Sequence, residues 1–390
     1  MSDAILALNA GSSSVKFALF NAGAAQATLR GEVEMRDGAA RMHAKAGRVL
    51  VADEDWGAAD AGTRLHRLLD WVDGHLGTGR LVGVGHRVVH GGPEFRAPVR
   101  LDEGMLERLA ALTPLAPLHQ PGSLAPARAI LAARPALPQV GCFDTAFHAT
   151  LPEVAWRYAL PRDLDPAIRV YGFHGLSYEH VARRLRAEAP ALAAGRVVAA
   201  HLGSGASLCA LQAGRSVDTT MGFSALDGLV MGTRPGTVDP GVLLYLLRER
   251  GMTAEALEEA LYRRSGLLGA SGITADVRSL GESGDARAAL ALDMFCLRAA
   301  KLAAGMAASL GGLDGIVFTG GIGEHAPAIR AAICGRLAWL GVRLDPAANA
   351  AGAMRIGTAE SGVAVLVMPA DEEASIARHT AGVLGMGTMA

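Results

Sequence analysis

Two stretches half a chain apart share one pattern. ILALNAGSSSVKFALF, from residue 5, and VVAAHLGSGASLCALQ, from residue 197, each run apolar, then small and polar, then apolar again. At an offset of 192 positions Ala7 meets Ala199, Gly11 meets Gly203, Ser12 meets Ser204, Ala18 meets Ala210 and Leu19 meets Leu211. Each copy reads as a β-hairpin with Ser and Gly at its tip. The offset is close to half of the 390 residues, a length that exceeds one ordinary core. Two related α/β halves are therefore expected, each opening with a hairpin suited to phosphate, with the active site in the cleft between them.

Coarse periodicity supports this division. In the first half VGVGHRVVH and QVGCFD read as strands, and TRLHRLLDWVDGHL and the segment 123–134 as helices. In the second half GIVFTGG and VAVLVMP read as strands among helices at 239–250, 253–264, 287–310 and 326–338. The helix after Asp371 is expected to return to the first half. The expected domains are 1–147 with 374–390, and 148–373, with no linker between them.

Composition excludes several classes. With 51% hydrophobic and 19% charged residues and no uninterrupted apolar run of about 18 residues, a soluble protein without a membrane partner is expected. MSDAILALNAG has an acidic residue where an export signal needs basic ones. Cys142, Cys209, Cys296 and Cys334 lie far apart with no CxxC pair, which argues against disulfides and structural zinc and fits a reducing cytoplasm. A net charge of −1 supplies no field for nucleic acid. Of 37 basic residues only Lys16, Lys45 and Lys301 are lysine. That skew reads as genomic composition, yet it makes Lys16, inside the opening motif, an unusual choice.

Glycines cluster in HGG at 90–92, HLGSG at 201–205, MGTRPG at 231–236 and TGGIG at 319–323. Such turns either cradle an anion with main-chain N–H groups or simply turn tightly. Gly-Lys occurs nowhere, so a Walker A loop is excluded. GIGEHA at 321–326 matches the dinucleotide pattern G-x-G-x-x-A, but only one strand-like run follows it, too little for a dinucleotide fold.

With NAGSSSVKF, GHRVVHGG, APLHQPGS, FDTAFHATLP, YGFHGLSYEH, AHLGSGASL, DTTMGFSALDGLVMGTRPGTVDPG, SGITADVR, FTGGIGEH and PADEEASIAR in order, residues 5 to about 378 resemble the acetate kinase family. The resemblance implies a duplicated actin-like (ribonuclease H-like, ASKHA) fold around a nucleotide cleft. It implies reversible transfer of the ATP γ-phosphoryl group to acetate by direct in-line attack, Mg²⁺ or Mn²⁺, ATP/ADP as partners, and a homodimer. Two alternatives stand beside it. One is a propionate or butyrate kinase of the same family. The other is an actin- or chaperone-like ATPase switch, which would share the hairpins but have no use for paired arginines.

A carboxylate attacking a phosphoryl group is an anion approaching an anion, so such a site needs cations and donors rather than a base. The resemblance nominates Arg87 and Arg234 to grip carboxylate and phosphoryl oxygens, and His174 to bond the phosphoryl group, with His119 and His201 as companions. It nominates Asp144 as the essential aspartate and Asn9 and Glu372 at the metal. It also implies that Ser12, Ser14 and Lys16 face phosphate, as do Gly203, Ser204 and Gly205. The resemblance assigns Asp276, Val277, Arg278, Gly321, Ile322, Gly323 and His325 to adenosine, and Val89, Leu118, Phe173 and Ala225 to the pocket for the acid's methyl group. His86, His148, His180 and His379 read as structural, and HRVVH lacks a third metal ligand.

Four positions depart from the family pattern. Ser204 replaces Asn with the loss of one donor, and His325 replaces Asn near the purine. Asp371 replaces Asn and is expected to add negative charge near the metal. Ala225 replaces Pro and is expected to enlarge the acid pocket, so that propionate is used comparably to acetate.

Overall fold

The computed structural model of the chain describes residues 3–11, 14–36 and 38–387. They form two compact units, Met1–Phe147 with Asp371–Ala390, and His148–Ala370.

The first unit is built on β1 (Ala4–Ala10), β2 (Ser14–Asn21), β3 (Ala27–Arg36), β4 (Ala39–Ala46), β5 (Val49–Gly57), β6 (Leu81–Val88), β7 (Val99–Leu101) and β8 (Gln139–Phe143). They pair in the order β5-β4-β3-β2-β1-β6-β8-β7. β1 is antiparallel to β2 and parallel to β6, which is parallel to β8. AILALNA is buried along nearly its whole length, as a central strand covered on both faces must be. Leu65, Leu68, Leu69 and Val72, at helical spacing on Ala61–Leu76, are buried in one cluster with Leu6, Leu8, Phe17 and Leu19. Each such side chain contributes roughly 1.5–3 kcal/mol of burial. Asp60 caps that helix by accepting from the Thr63 amide at 2.9 Å, a contact worth about 1 kcal/mol. The helix Glu372–Val383 packs against β1, β6 and β8. It lies so close that a Cβ on Gly85 would fall 2.2 Å from Thr380 Oγ1 and 2.5 Å from Ile376 Cγ2, which is why β6 reads VGVGHRV. The chain thus returns to this unit at Asp371.

The second unit carries β9 (Arg196–Leu202), β10 (Ala206–Gln212), β11 (Arg215–Thr219), β12 (Gly315–Thr319) and β13 (Ala364–Val367) in the order β11-β10-β9-β12-β13. β9 is antiparallel to β10 and parallel to β12, which is parallel to β13. This repeats β3-β2-β1-β6-β8 in order and direction, so the duplication is real.

The ungapped alignment of the hairpins needs a correction, however. In the first hairpin Ala10 pairs with Val15, and in the second Leu202 pairs with Ala206, so the second turn is one residue shorter. Asn9 pairs with Lys16, and its counterpart His201 pairs with Ser207. Because strand faces alternate with period two, the Ala18/Ala210 and Leu19/Leu211 matches are out of register.

The helix Gly320–His325 follows β12, and the sheet mixes antiparallel with parallel pairs. That arrangement is not a dinucleotide fold. No helix among the described residues is long and apolar enough to cross a membrane. All four cysteines are free thiols and buried.

Candidate active site

In the first unit the polar side chains gather at the carboxyl ends of parallel strands, where open α/β sheets bind ligands. Asn9 ends β1, Arg87 lies near the end of β6, and Asp144 follows β8. The register Arg87↔Cys142 and Val88↔Phe143 sets Asp144 beside Arg87. Arg87 donates from Nε at 2.9 Å and Nη2 at 2.5 Å to Asp144 Oδ2, and from Nη1 at 3.4 Å to Asn9 Oδ1. Asp144 is fully buried. Burial opposes the Arg87 charge, but Asp144 and Glu372 outweigh it and hold the guanidinium above its ordinary pKa.

Asn9 Nδ2 donates to Glu372 Oε2 at 2.8 Å and Glu373 Oε1 at 3.1 Å. Burial and the neighbouring Glu372 raise the Glu373 pKa. The charge that Asp371 adds is offset by an arginine. Arg30 of β3 grips it at 3.0 and 2.5 Å and lies 3.7 Å from Glu373, while Asp371 Oδ1 also caps its helix through the Ala374 amide at 2.9 Å. Arg30 was not found from sequence, since β3 carries no turn or motif signal at that position.

Lys16 is exposed and Ser14 half-buried at the start of β2, and Ser12 lies outside the described residues. His119 precedes the helix Gln120–Ala133, whose Gln120 clamps His90 by accepting from its amide at 3.1 Å and donating to its carbonyl at 3.0 Å. Val89 is buried and Leu118 is 39% exposed. His86 and His90 are buried, with pKa values pushed down to about 4 by that burial. His86 Nε2 is engaged with Gln139 Oε1 at 2.8 Å.

In the second unit three glycine-bearing segments converge. His174 sits at φ 56°, left-handed, at the start of the helix Gly175–Glu188, a conformation that costs a non-glycine residue of order 1–2 kcal/mol. Its ring stacks on His201, with centroids 4.2 Å apart and planes at 19°. Arg234 Nη1 donates to the Ala225 carbonyl at 2.8 Å, so the position where the family has Pro also holds an arginine. A Cβ on Gly205 would lie 2.9 Å from Arg234 Nη2 and 3.3 Å from His174 Nε2. The amide of Gly232 bonds the exposed Ser204's carbonyl at 3.0 Å. The structure therefore brings His174, His201, Ser204, Gly205 and Arg234 together. Phe173 is buried, and its carbonyl bonds His148 Nε2 at 2.9 Å. Burial pushes His148 down to about 4.

The residues expected at adenosine lie on two segments, at the start of the helix Val277–Glu282 and in the helix Gly320–His325. Asp276 caps Val277–Glu282 through the Ser279 amide at 2.8 Å, a bond that lowers its pKa. Val277 is buried, and Arg278 points outward to Glu282. Gly321 is exposed, Ile322 half-buried and Gly323 buried, and His325 is 81% exposed beside Glu324. Behind this turn lies Arg330, 1% exposed, which sequence reasoning also missed. It donates to the Gly323 and Glu324 carbonyls at 2.9 and 2.8 Å and to Asn349 Oδ1 and O at 2.8 and 2.7 Å. A buried guanidinium thus pins the GGIGEH segment through carbonyl oxygens.

Two mixed sheets of one topology, each with polar groups at its strand ends, define a duplicated actin-like α/β protein. The acetokinase family pattern matches residues 4–378, and the chain belongs to that family. It is 49% identical to an acetate kinase of Nitrobacter hamburgensis over 390 aligned positions, covering 98% of this chain and 96% of that one. It is equally 49% identical to an acetate kinase of Rhodopseudomonas palustris, covering 97% and 98%. Among solved structures, a propionate kinase from Francisella tularensis superposes with TM-score 0.91 at 37% identity, covering 98% and 100%. Porphyromonas gingivalis acetate kinase superposes with TM-score 0.86 at 35% identity, covering 98% and 100%.

Proposed function

We propose that this protein is a phosphotransferase with a carboxyl acceptor, acetate kinase, moving the γ-phosphoryl group of ATP reversibly to acetate. The observation that carries this reading is the pair of positioned arginines, Arg87 fixed by buried Asp144 and Arg234 fixed beside His174. The acid is already ionised at neutral pH, so no base is required. What remains is the repulsion between two anions, which permanent guanidinium charges and preset donors offset.

Each unit has its own part. In the first, Arg87 grips anionic oxygens, Asp144 orients Arg87, His119 is assigned as a further donor, and Val89 and Leu118 meet the acid's alkyl group. Ser14 and Lys16, at the start of β2, are assigned to phosphate. In the second, Arg234, His174 and His201 meet the phosphoryl oxygens and the 203–205 turn offers its amides. Phe173 and Ala225 are assigned to the acid's alkyl group as well, and Asp276–Arg278 with Gly321–Gly323 and His325 to adenosine. These units are the two domains of the duplicated fold.

The first unit also suits Mg²⁺. Asp144, Asp371, Glu372 and Glu373 carry four negative charges against the two positive charges of Arg30 and Arg87, and Glu373 is driven toward protonation by burial and by Glu372. A divalent cation relieves that excess. Asn9 and Glu372 would hold it, since Mg²⁺ needs only one or two protein oxygens beside water and phosphate. When bound it neutralises phosphate charge.

A homodimer is favoured by uncovered apolar side chains on the second unit. Leu290, Met294 and Leu297 form a stripe on the helix Ala286–Leu310, and Val242, Leu244 and Tyr245 are exposed on Pro240–Arg248. Sedimentation tests it. A cytoplasmic location fits a substrate pair of ATP and a small acid.

Trapping acyl phosphate with hydroxylamine in the presence of ATP and acetate, propionate or butyrate tests the activity. Acetyl hydroxamate is expected, and its absence with every acid removes the reading.

A further inference from the structure

The stacked rings of His174 and His201 are each tied at Nδ1 to a serine. His174 Nδ1 lies 2.9 Å from Ser207 Oγ, and His201 Nδ1 lies 2.8 Å from Ser177 Oγ. Both serines are 0% exposed. Which nitrogen carries the proton decides what each ring can offer a ligand, and it follows from the surrounding hydrogen bonds.

The chain of bonds starts at Tyr178. This phenol is fully buried, and burial raises its pKa well above the ordinary value, so it keeps its proton. Its oxygen accepts from the His201 main chain and lies 2.5 Å from Ser207 Oγ, the group left to take its proton. A buried O–H has to donate. Ser207 Oγ therefore accepts from Tyr178, and its own single proton is left for His174 Nδ1. A ring nitrogen that accepts is the unprotonated one, so neutral His174 carries its proton on Nε2. The same reasoning applies to Ser177, whose buried hydroxyl bonds His201 Nδ1 and so leaves that proton on Nε2 as well.

The two Nε2 atoms flank the turn between β9 and β10. A Cβ on Gly205 would lie 3.3 Å from His174 Nε2, and one on Gly203 would lie 3.7 Å from His201 Nε2. Arg234 Nη2 comes to the same turn, 2.9 Å from the Gly205 position. We propose that Tyr178, Ser207 and Ser177 are positioning residues that lock both imidazoles as neutral Nε2–H donors, so that the stacked pair presents two hydrogen bonds beside Arg234 to a phosphoryl oxygen. Neutral rings can stack at this distance without the repulsion of two parallel cations, and Arg234 supplies the permanent charge. The left-handed backbone at His174 and the serine anchor fix the ring from opposite ends.

The role toward phosphate rests on the phosphotransfer reading, but the tautomer does not. Ring ¹⁵N NMR of the full-length, histidine-labelled protein at neutral pH reads the tautomer directly, with signals assigned by their loss in His174→Gln and His201→Gln. Both rings are expected to be protonated at Nε2 and bare at Nδ1. In Tyr178→Phe, Ser207 is free to accept from His174, whose signals move toward an Nδ1–H mixture while those of His201 stay. That variant should lose roughly tenfold in kcat with the KM for ATP within about twofold of the parent. Ser177→Ala should move the His201 signals alone. An Nδ1-protonated His174 or His201 in the parent protein overturns the proposal. So does an unchanged His174 spectrum in a Tyr178→Phe protein with parental circular dichroism. Two Nε2–H rings in a protein that makes no acyl phosphate would uphold the positioning chain while removing the phosphotransfer reading.

Discussion

The two units share a topology and differ in chemistry. At equivalent places in the two hairpins the first unit pairs Asn9 with Lys16, and the second pairs His201 with Ser207. Around Asn9 stand two arginines and four carboxylates, one of them, Asp144, without solvent exposure. Around His201 stand a second imidazole, two buried serines, a tyrosine and one arginine held by a main-chain carbonyl. One fold, used twice, thus separates charge from neutral donors. A reaction between anions needs both, fixed charge to offset repulsion and preset donors to follow the transferring group.

The comparison breaks most directly at its arginines. Arg87→Ala should lower turnover by roughly 10³-fold or more and destabilise the fold by about 3–5 kcal/mol, because Asp144 is left buried without its cation. Arg234→Ala should cost a similar factor in turnover with little change in stability. Kinetics beside urea unfolding check both, and equal stability losses in the two variants would erase the distinction. A smaller effect is expected from Gly205→Ala. Its new Cβ would meet the Arg234 guanidinium at 2.9 Å and displace it, and a misplacement near 1 Å costs about 100-fold in kcat. Steady-state rates with ATP and acetate measure it.

The acid pocket gives a prediction of specificity. With Ala225 in place of Pro, kcat/KM for propionate should stay within about 100-fold of that for acetate, and a larger preference for acetate would remove the expectation that Ala225 widens the pocket. The pH dependence of stability follows from His86, His90 and His148, whose folded pKa values of about 4 lie below the ordinary 6.5. Between those values the unfolded chain binds more protons. Stability is therefore complete above pH 6.5 and declines as pH falls toward 4, which thermal melts across that range will show. The smallest effect belongs to Asp371→Asn. It removes a partly exposed ion pair with Arg30, worth about 0–1 kcal/mol, and keeps a residue able to cap the helix.

Much of this arrangement is legible in the sequence, and the exceptions have physical reasons. The strand Ala4–Ala10 and the amphipathic helix Ala61–Leu76 announce themselves because burial on two faces or on one stripe leaves a periodic record. Glycine turns and the motifs of Arg87, His174 and Arg234 are local in sequence, so they can be read there. Arg30 and Arg330 are not, since their partners Asp371 and Asn349 come from distant segments and no local pattern marks them. The edge strand β5 passes unnoticed because its exposed residues mix charge with Val49, Leu50 and Val51, blurring the alternation. The hairpin register was misread because a one-residue difference in a turn leaves the sequence similarity intact while it changes every facing pair.

The central claim is that the charged unit and the donor unit together serve transfer from ATP to a carboxylate. Following the protein with ATP, Mg²⁺ and acetate by ³¹P NMR tests it most directly. An acetyl phosphate resonance should grow as the γ-phosphate resonance falls, and both changes should stop when acetate is omitted. Inorganic phosphate released at one rate with or without acetate, and no acyl phosphate signal, would contradict the account.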